Sequence, residues 1–245
     1  MASPALTELR PERVDGETGE VDLARYSTRE MVEIEYGMAD AAERLHQAQN
    51  HHVDRQHVVK AMEEMDEAMR RKTGNPDRRL SDEQRRAIEH VTGPERVAAM
   101  VGLAGAGKST MLAAAAQAWE RQGYTVHGAA LSGKAAEGLE ESSGTQSRTL
   151  ASWSRSWENE KHQLGKGDVL VIDEASMVGS RQLASFVGEA EKRGAKIVLV
   201  GDHEQLQAIG AGAPFRAIAE RIGHASLGEI KRQMEPWQQE MRGEE

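Results

Sequence analysis

Cysteine is missing from this 245-residue chain, phenylalanine occurs only twice, and aromatic residues make up just 4% of it. Disulfides and cysteine-ligated metals are therefore excluded. Hydrophobic residues reach 38%, which is little for one compact core, so part of the chain is predicted to be extended, disordered or helical at the surface. No apolar run approaches the ~20 residues that span a bilayer. The N-terminal stretch MASPALTELRPERVDGETGE has no apolar signal core. A cytoplasmic protein without membrane insertion is expected. Basic charge is also short, with 31 Lys and Arg against 40 Asp and Glu. That balance argues against a protein that coats nucleic acid generally. The deficit is concentrated in residues 1–74, which leaves room for a locally basic groove in the rest.

Residues 1–25 are polar and rich in Pro, Gly and Glu, and read as a linker or a disordered segment. Residues 26–75 read as a helical lead-in. Ser27 and Glu30 have capping-box spacing, with Tyr26 and Met31 as a hydrophobic staple, so a helix is predicted from there to about residue 49. A second helix is predicted from Asp54, stopped by Gly74 and Pro76. Its stripe of Val58, Met62, Met65 and Met69 predicts packing between the two helices. His46, His51, His52 and His57 lack ligand spacing and read as solvated. From residue 80 onward the pattern changes. The runs RVAAMVG, TVHGAAL, DVLVIDE and KIVLVGD, with ASLGEI as a weaker fifth, alternate with amphipathic helices. This is the pattern of an α/β domain with a parallel sheet flanked by helices.

Three motifs carry chemistry. In GLAGAGKST, Gly102, Gly107, Lys108 and Ser109 match the P-loop pattern G-x-x-x-x-G-K-[ST], between an apolar run and a helix. Such a loop turns backbone N–H groups onto phosphates at a helix N-terminus. Gly102, Gly105, Ala106, Gly107, Lys108, Ser109 and Thr110 are the candidate ATP-binding residues. Lys108 would reach the β- and γ-phosphates, and Ser109 would hold Mg²⁺. In DVLVIDEAS, an apolar run ends in two carboxylates: Asp173 to hold Mg²⁺, directly or through water, and Glu174 to orient or deprotonate the attacking water. In IVLVGDHEQLQAIGAG, a strand delivers Gly201 and Asp202 to the carboxyl edge of the sheet, and Gln205 could sense the γ-phosphate or the water.

In this order the three motifs resemble those of superfamily 1 DNA helicases of the RecD-like and conjugative branch. LSDEQRRAI resembles the family's first motif, in which the glutamine, here Gln84, contacts adenine. GAALSGKAAEGLEESSG and SRTLASW resemble the two DNA-facing motifs, and EIKRQ resembles the fourth, whose arginine, here Arg232, reaches the γ-phosphate. The runs from YSTREMVEIE to GDHEQLQAIGAGAPFRAI are similar to the helicase part of TraA-type conjugal transfer relaxases, with His203 as one local departure. The resemblance implies an ATP- and Mg²⁺-dependent motor on single-stranded DNA, of which residues 76–245 are the first RecA-like domain. It places Ser132, Lys134, Ser147, Arg148 and Thr149 toward DNA. Trp153 and Trp157, four apart on a predicted helix, are candidates either for base stacking or for the core.

The histidine pair at 51 and 52 lacks the His-apolar-His spacing of a relaxase metal site. The expected partners are therefore a relaxase domain and a second motor domain outside this sequence, together with other conjugation proteins. Without the second domain, nucleotide binding with very slow hydrolysis is expected. Two further readings stay open: a P-loop ATPase switch that does not act on DNA, and a protein-docking module built on the N-terminal helices.

Overall fold

A computed structural model describes residues 28–103, 105–202 and 213–228 in full, and the backbone alone of residues 6–10, 13–14, 21–22 and 25–27. The predicted α/β architecture is observed. Its centre is a six-stranded sheet, parallel at every recorded pairing. The strands are β5 (Val97–Gly102), β6 (Thr125–Ala130), β7 (Ser147–Thr149), β8 (Asp168–Ile172), β9 (Lys196–Gly201) and β10 (Ala225–Leu227). They run in the order β10-β5-β9-β8-β6-β7. β5 and β9 are buried at every residue, as parallel strands covered on both faces must be, and past the buried Lys196 that opens β9 they read as apolar runs.

The N-terminal residues read as a linker carry short antiparallel pairings: β1 (Leu6–Arg10) with β4 (Arg25–Thr28), and β2 (Arg13–Val14) with β3 (Val21–Asp22). Ser27 therefore lies in a strand, and the cap of α1 (Arg29–Gln47) moves one residue on. Thr28 is the N-cap, its hydroxyl accepting from the Met31 amide at 3.2 Å.

The two lead-in helices are present, but the Met stripe does not join them to each other. α1 packs on α7 (Ser180–Arg193) and α8 (Pro214–Ile222), whereas α2 (Arg55–Thr73) packs on α4 (Lys108–Gln122). They lie on opposite faces of the sheet. Met38, Ala42 and Leu45 of α1 share a core with Val97, Ala99 and Val101 of β5. Val58, Ala61 and Met62 of α2 share the other core with Ala98 and Met100 of the same strand. Alternate residues of one strand thus face the two cores. The α1–α2 connection crosses the amino-terminal edge of the sheet. The Arg96 amide bonds to the Leu45 carbonyl at 3.0 Å, and the His51 amide to the Pro94 carbonyl at 3.0 Å.

That crossing buries His51, which the sequence reading had left solvated. Its ring is 2% exposed and stacks on Tyr124 with centroids 5.3 Å apart. Burial pushes the imidazole down to about 4, with Lys196 and Arg96 adding in the same direction. Ion pairs strap α1 down further: Arg44 to Glu191, Arg221 to Asp40 and Glu43, and Arg181 to Glu30. A sixth strand, β7, lies inside SRTLASW, where three polar residues gave no strand pattern.

Candidate nucleotide site and nucleic-acid face

The nucleotide loop follows from the residues at its two ends. β5 stops at Gly102, and α4 begins at Lys108 with Gly107 as its N-cap. Gly105 and Gly107 have φ of 79° and 82°, in the left-handed region that glycine enters without a Cβ penalty. A Cβ on Gly107 would also strike the Gln84 amide. α4 is rich in alanine because it is buried between the sheet and neighbouring helices: Ala114, Ala115 and Ala118 are 0% exposed. The Lys108 Nζ donates to the Gly102 carbonyl at 2.7 Å, folding the side chain back along its own loop.

The three sequence motifs meet at the carboxyl edge of the sheet, where open α/β sheets bind ligands. Lys108, Leu131, Asp173, Glu174, Ser176, Met177, Gly201 and Asp202 line one cleft of about 520 Å³. Asp173 directly follows β8, its amide bonded to the Ala129 carbonyl at 2.9 Å. Burial raises the Asp173 carboxyl above its usual range. The Glu174 amide, 2.9 Å from its Oδ1, and the positive charge of Lys108 oppose that rise. Glu174 is exposed and sits at φ 54°, a conformation that costs a non-glycine residue about 1–3 kcal/mol and collects at functional sites. Gly201 ends β9 against the ring of Phe215, where a Cβ would collide. Ser109 and Thr110 lie in the first turn of α4, and Ala106 is buried in the loop before it. Gln205 and Arg232, with the EIKRQ segment, lie outside the described residues.

Gln84 is buried beneath the loop. Its Nε2 donates to the Gly107 carbonyl at 3.2 Å and its Oε1 accepts from the Ser81 amide at 3.0 Å. Both ends of the amide are thus engaged within the chain, in the arrangement of a capping box on α3 (Asp82–Val91). Glu83, the neighbouring residue, accepts from the Gly228 amide at 3.0 Å.

The residues expected to face DNA are gathered at the other side of the sheet's carboxyl edge. Ser132 caps α5 (Gly133–Ser143) and Thr149 caps α6 (Leu150–Glu158), each hydroxyl accepting from an amide of the first turn. Lys134 is exposed on α5. Ser147 and Arg148 line a groove of about 480 Å³ with Glu137, Glu140 and Glu141, so this groove is acidic. Trp153 does not belong to that face. It is 2% exposed, and its Nε1 donates to the Gly128 carbonyl at 3.0 Å, so its ring is packed into the core. Its neighbours are His127, Trp157 and the Arg148 guanidinium, which lies 5.3 Å from the ring centre. Two polar features escaped the sequence reading. One is the His127–Asp168 pair at 3.0 Å; the other is Asp66, buried on α2. Asp168 opens DVLVIDEAS and His127 lies in TVHGAAL, both half-buried, whereas Asp66 belongs to no motif and only its burial marks it.

Comparison with known proteins places this geometry in a family. A family model described as "AAA domain" matches residues 79–244. "Conjugal transfer protein TraA" of Rhizobium radiobacter is 52% identical over 229 residues, covering 94% of this chain and 20% of that protein. "Conjugal transfer protein TraA" of Agrobacterium fabrum is 48% identical over 235 residues, covering 96% of this chain and 20% of that protein. "ATP-dependent RecD2 DNA helicase" of Deinococcus radiodurans is 34% identical over 158 residues, with 63% of this chain and 22% of that protein covered. The chain thus spans about a fifth of the length of the curated relatives it matches. With its P-loop between β5 and α4, the chain belongs to the nucleotide-binding AAA domain family and is a close homologue of one segment of the conjugal transfer proteins TraA.

Proposed function

We propose that this chain is the ATP-binding half of a DNA-helicase motor, RecA-like from residue 76 to residue 245, that acts on single-stranded DNA during conjugal transfer in the cytoplasm. The observation that carries this reading is the single cleft in which Lys108, Asp173, Glu174 and Asp202 converge from three strand ends. A P-loop alone would serve any nucleotide switch. A P-loop facing a half-buried carboxylate and a strained, exposed Glu174 suits hydrolysis. In this reading Lys108 exchanges its bond to Gly102 for the phosphates, and Glu174 orients the attacking water.

The donor set fits Mg²⁺. Asp173 and Ser109 offer hard oxygens, and burial leaves Asp173 short of compensating charge. Bound there, the metal would neutralise charge on the phosphates. Leu131 and Met177 line the same cleft with 38% and 59% exposure. Apolar side chains at a nucleotide site favour a surface that closes over it, which supports a second motor domain as partner. Gln205 and Arg232 would then contribute to the γ-phosphate from outside the described residues. Single-stranded DNA would run over the capped N-termini of α5 and α6, where Ser132, Lys134 and Thr149 stand, and along the rim of the acidic groove, where Ser147 and Arg148 stand.

The test is single-strand-stimulated ATP hydrolysis, measured for these 245 residues and for a chain of the relatives' full length. Stimulation is expected in the longer chain and only very slow hydrolysis in this one. Robust DNA-stimulated hydrolysis by these residues alone would refute the two-domain reading. ATP hydrolysis indifferent to DNA in both would favour a switch.

A further inference from the structure

We infer that Asp66 of α2 is a positioning residue for the nucleotide loop, acting through the first turn of α3; this rests on the ATP-binding reading above. Asp66 is 7% exposed, and an aspartate is seldom buried unless both oxygens are occupied. Its Oδ1 accepts from the Leu80 amide at 2.7 Å, and its Oδ2 pairs with the Arg85 guanidinium. Arg85 also reaches the Met62 sulfur on α2 at 3.7 Å. One side chain of α2 therefore grips α3 on both sides of its N-cap.

What α3 then holds is the nucleotide loop. The Ser81 hydroxyl accepts from the Gln84 amide at 3.2 Å, and Gln84 Oε1 accepts from the Ser81 amide at 3.0 Å. With that end fixed, Gln84 Nε2 is aimed at the Gly107 carbonyl, 3.2 Å away. The same carbonyl accepts from the Met111 amide at 3.1 Å. A trans peptide is planar, with C=O and N–H on opposite sides. Fixing the Gly107 carbonyl therefore fixes the direction of the Lys108 N–H, a phosphate donor in a P-loop. The capping box alone would shape only the start of α3. Asp66 sets where that start lies relative to α4. It also stands outside residues 79–244, the span of the family match. A partly buried ion pair is a poor source of stability compared with apolar packing. Fixing one arrangement of α3 beneath the loop is what this pair supplies instead.

The experiment is a titration of the 245-residue protein with a fluorescent N-methylanthraniloyl ATP, alongside thermal midpoints. The variants are Asp66→Ala, Gln84→Ala, the double variant, and Val58→Ala as a packing control in the same buried cluster. Asp66→Ala is expected to weaken binding by roughly tenfold. Val58→Ala, at a comparable loss of midpoint, should stay within about twofold of the parent. In the Gln84→Ala background, Asp66→Ala should add almost nothing, because its effect passes through Gln84. Independent, multiplying losses, or equal losses for Asp66→Ala and Val58→Ala, would overturn the inference. If Asp66→Ala does not fold, Asp66→Asn serves the same comparison, since it keeps an acceptor for Leu80 and gives up only the ion pair. Absence of binding by the unaltered protein would overturn the ATP reading itself, and this inference with it.

Discussion

At the scale of single residues, geometry separates side chains that look alike in sequence. Asp173 and Glu174 are adjacent carboxylates, yet one is half-buried with a raised carboxyl and the other exposed on a strained backbone. Glu174→Gln is expected to keep nucleotide affinity and lose hydrolysis. Glu174→Gly should also stop hydrolysis while raising stability by about 1 kcal/mol, because it relieves the left-handed conformation. Paired ATPase and denaturant-unfolding measurements check both. Trp153 and Trp157 read as candidates either for base stacking or for the core, and the bond from Trp153 to Gly128 puts that ring in the core. Trp153→Ala should therefore cost about 3–5 kcal/mol of stability. Weaker DNA binding with unchanged stability would contradict that placement. His51 gives a pH signature. Its folded value, about 4, lies below its ordinary 6.5, so on acidification the unfolded chain takes up a proton that the native state refuses. Its contribution is complete above pH 6.5 and is lost as pH falls toward 4. Replacing it by Phe should flatten the loss of stability between pH 6.5 and 5.

Elements show why some of the fold was legible and some was not. β5, β8 and β9 announce themselves because strands buried on both faces are apolar past their first residue. The P-loop is legible because its glycines and lysine are fixed by phosphate chemistry rather than by packing. β7 escaped because an edge strand of three half-buried polar residues has no period to detect. The placement of α1 and α2 escaped for another reason. An amphipathic stripe says that a helix has an apolar face, and not which surface that face meets. Val58 and Met62 meet the α4 side of the sheet, while Leu45 meets the opposite core. The two helices are therefore layers of the sheet's own core. Removing residues 1–74 should strip apolar cover from both cores and leave a chain without a cooperative thermal transition, as calorimetry would show. A residual domain with an unaltered midpoint would mean that the helices are a separable docking module.

At the scale of the whole molecule, the sheet's carboxyl edge carries two surfaces. The cleft at the ends of β5, β8 and β9 gathers charge and two exposed apolar side chains, and the caps of α5 and α6 stand farther along the same edge. Met177→Glu should leave nucleotide affinity of this chain within about twofold, since it removes no phosphate contact. In a chain of the relatives' full length the same change should lower DNA-stimulated hydrolysis, because closure over the cleft would bury the new charge. The central claim, that Lys108 and the loop beneath it bind ATP in this cleft, is tested most directly by equilibrium titration of the 245-residue protein with fluorescent ATP in the presence of Mg²⁺. Saturable binding at one site, lost in Lys108→Ala at an unchanged thermal midpoint, is the expected result. Equal affinity in the parent and in Lys108→Ala would contradict it.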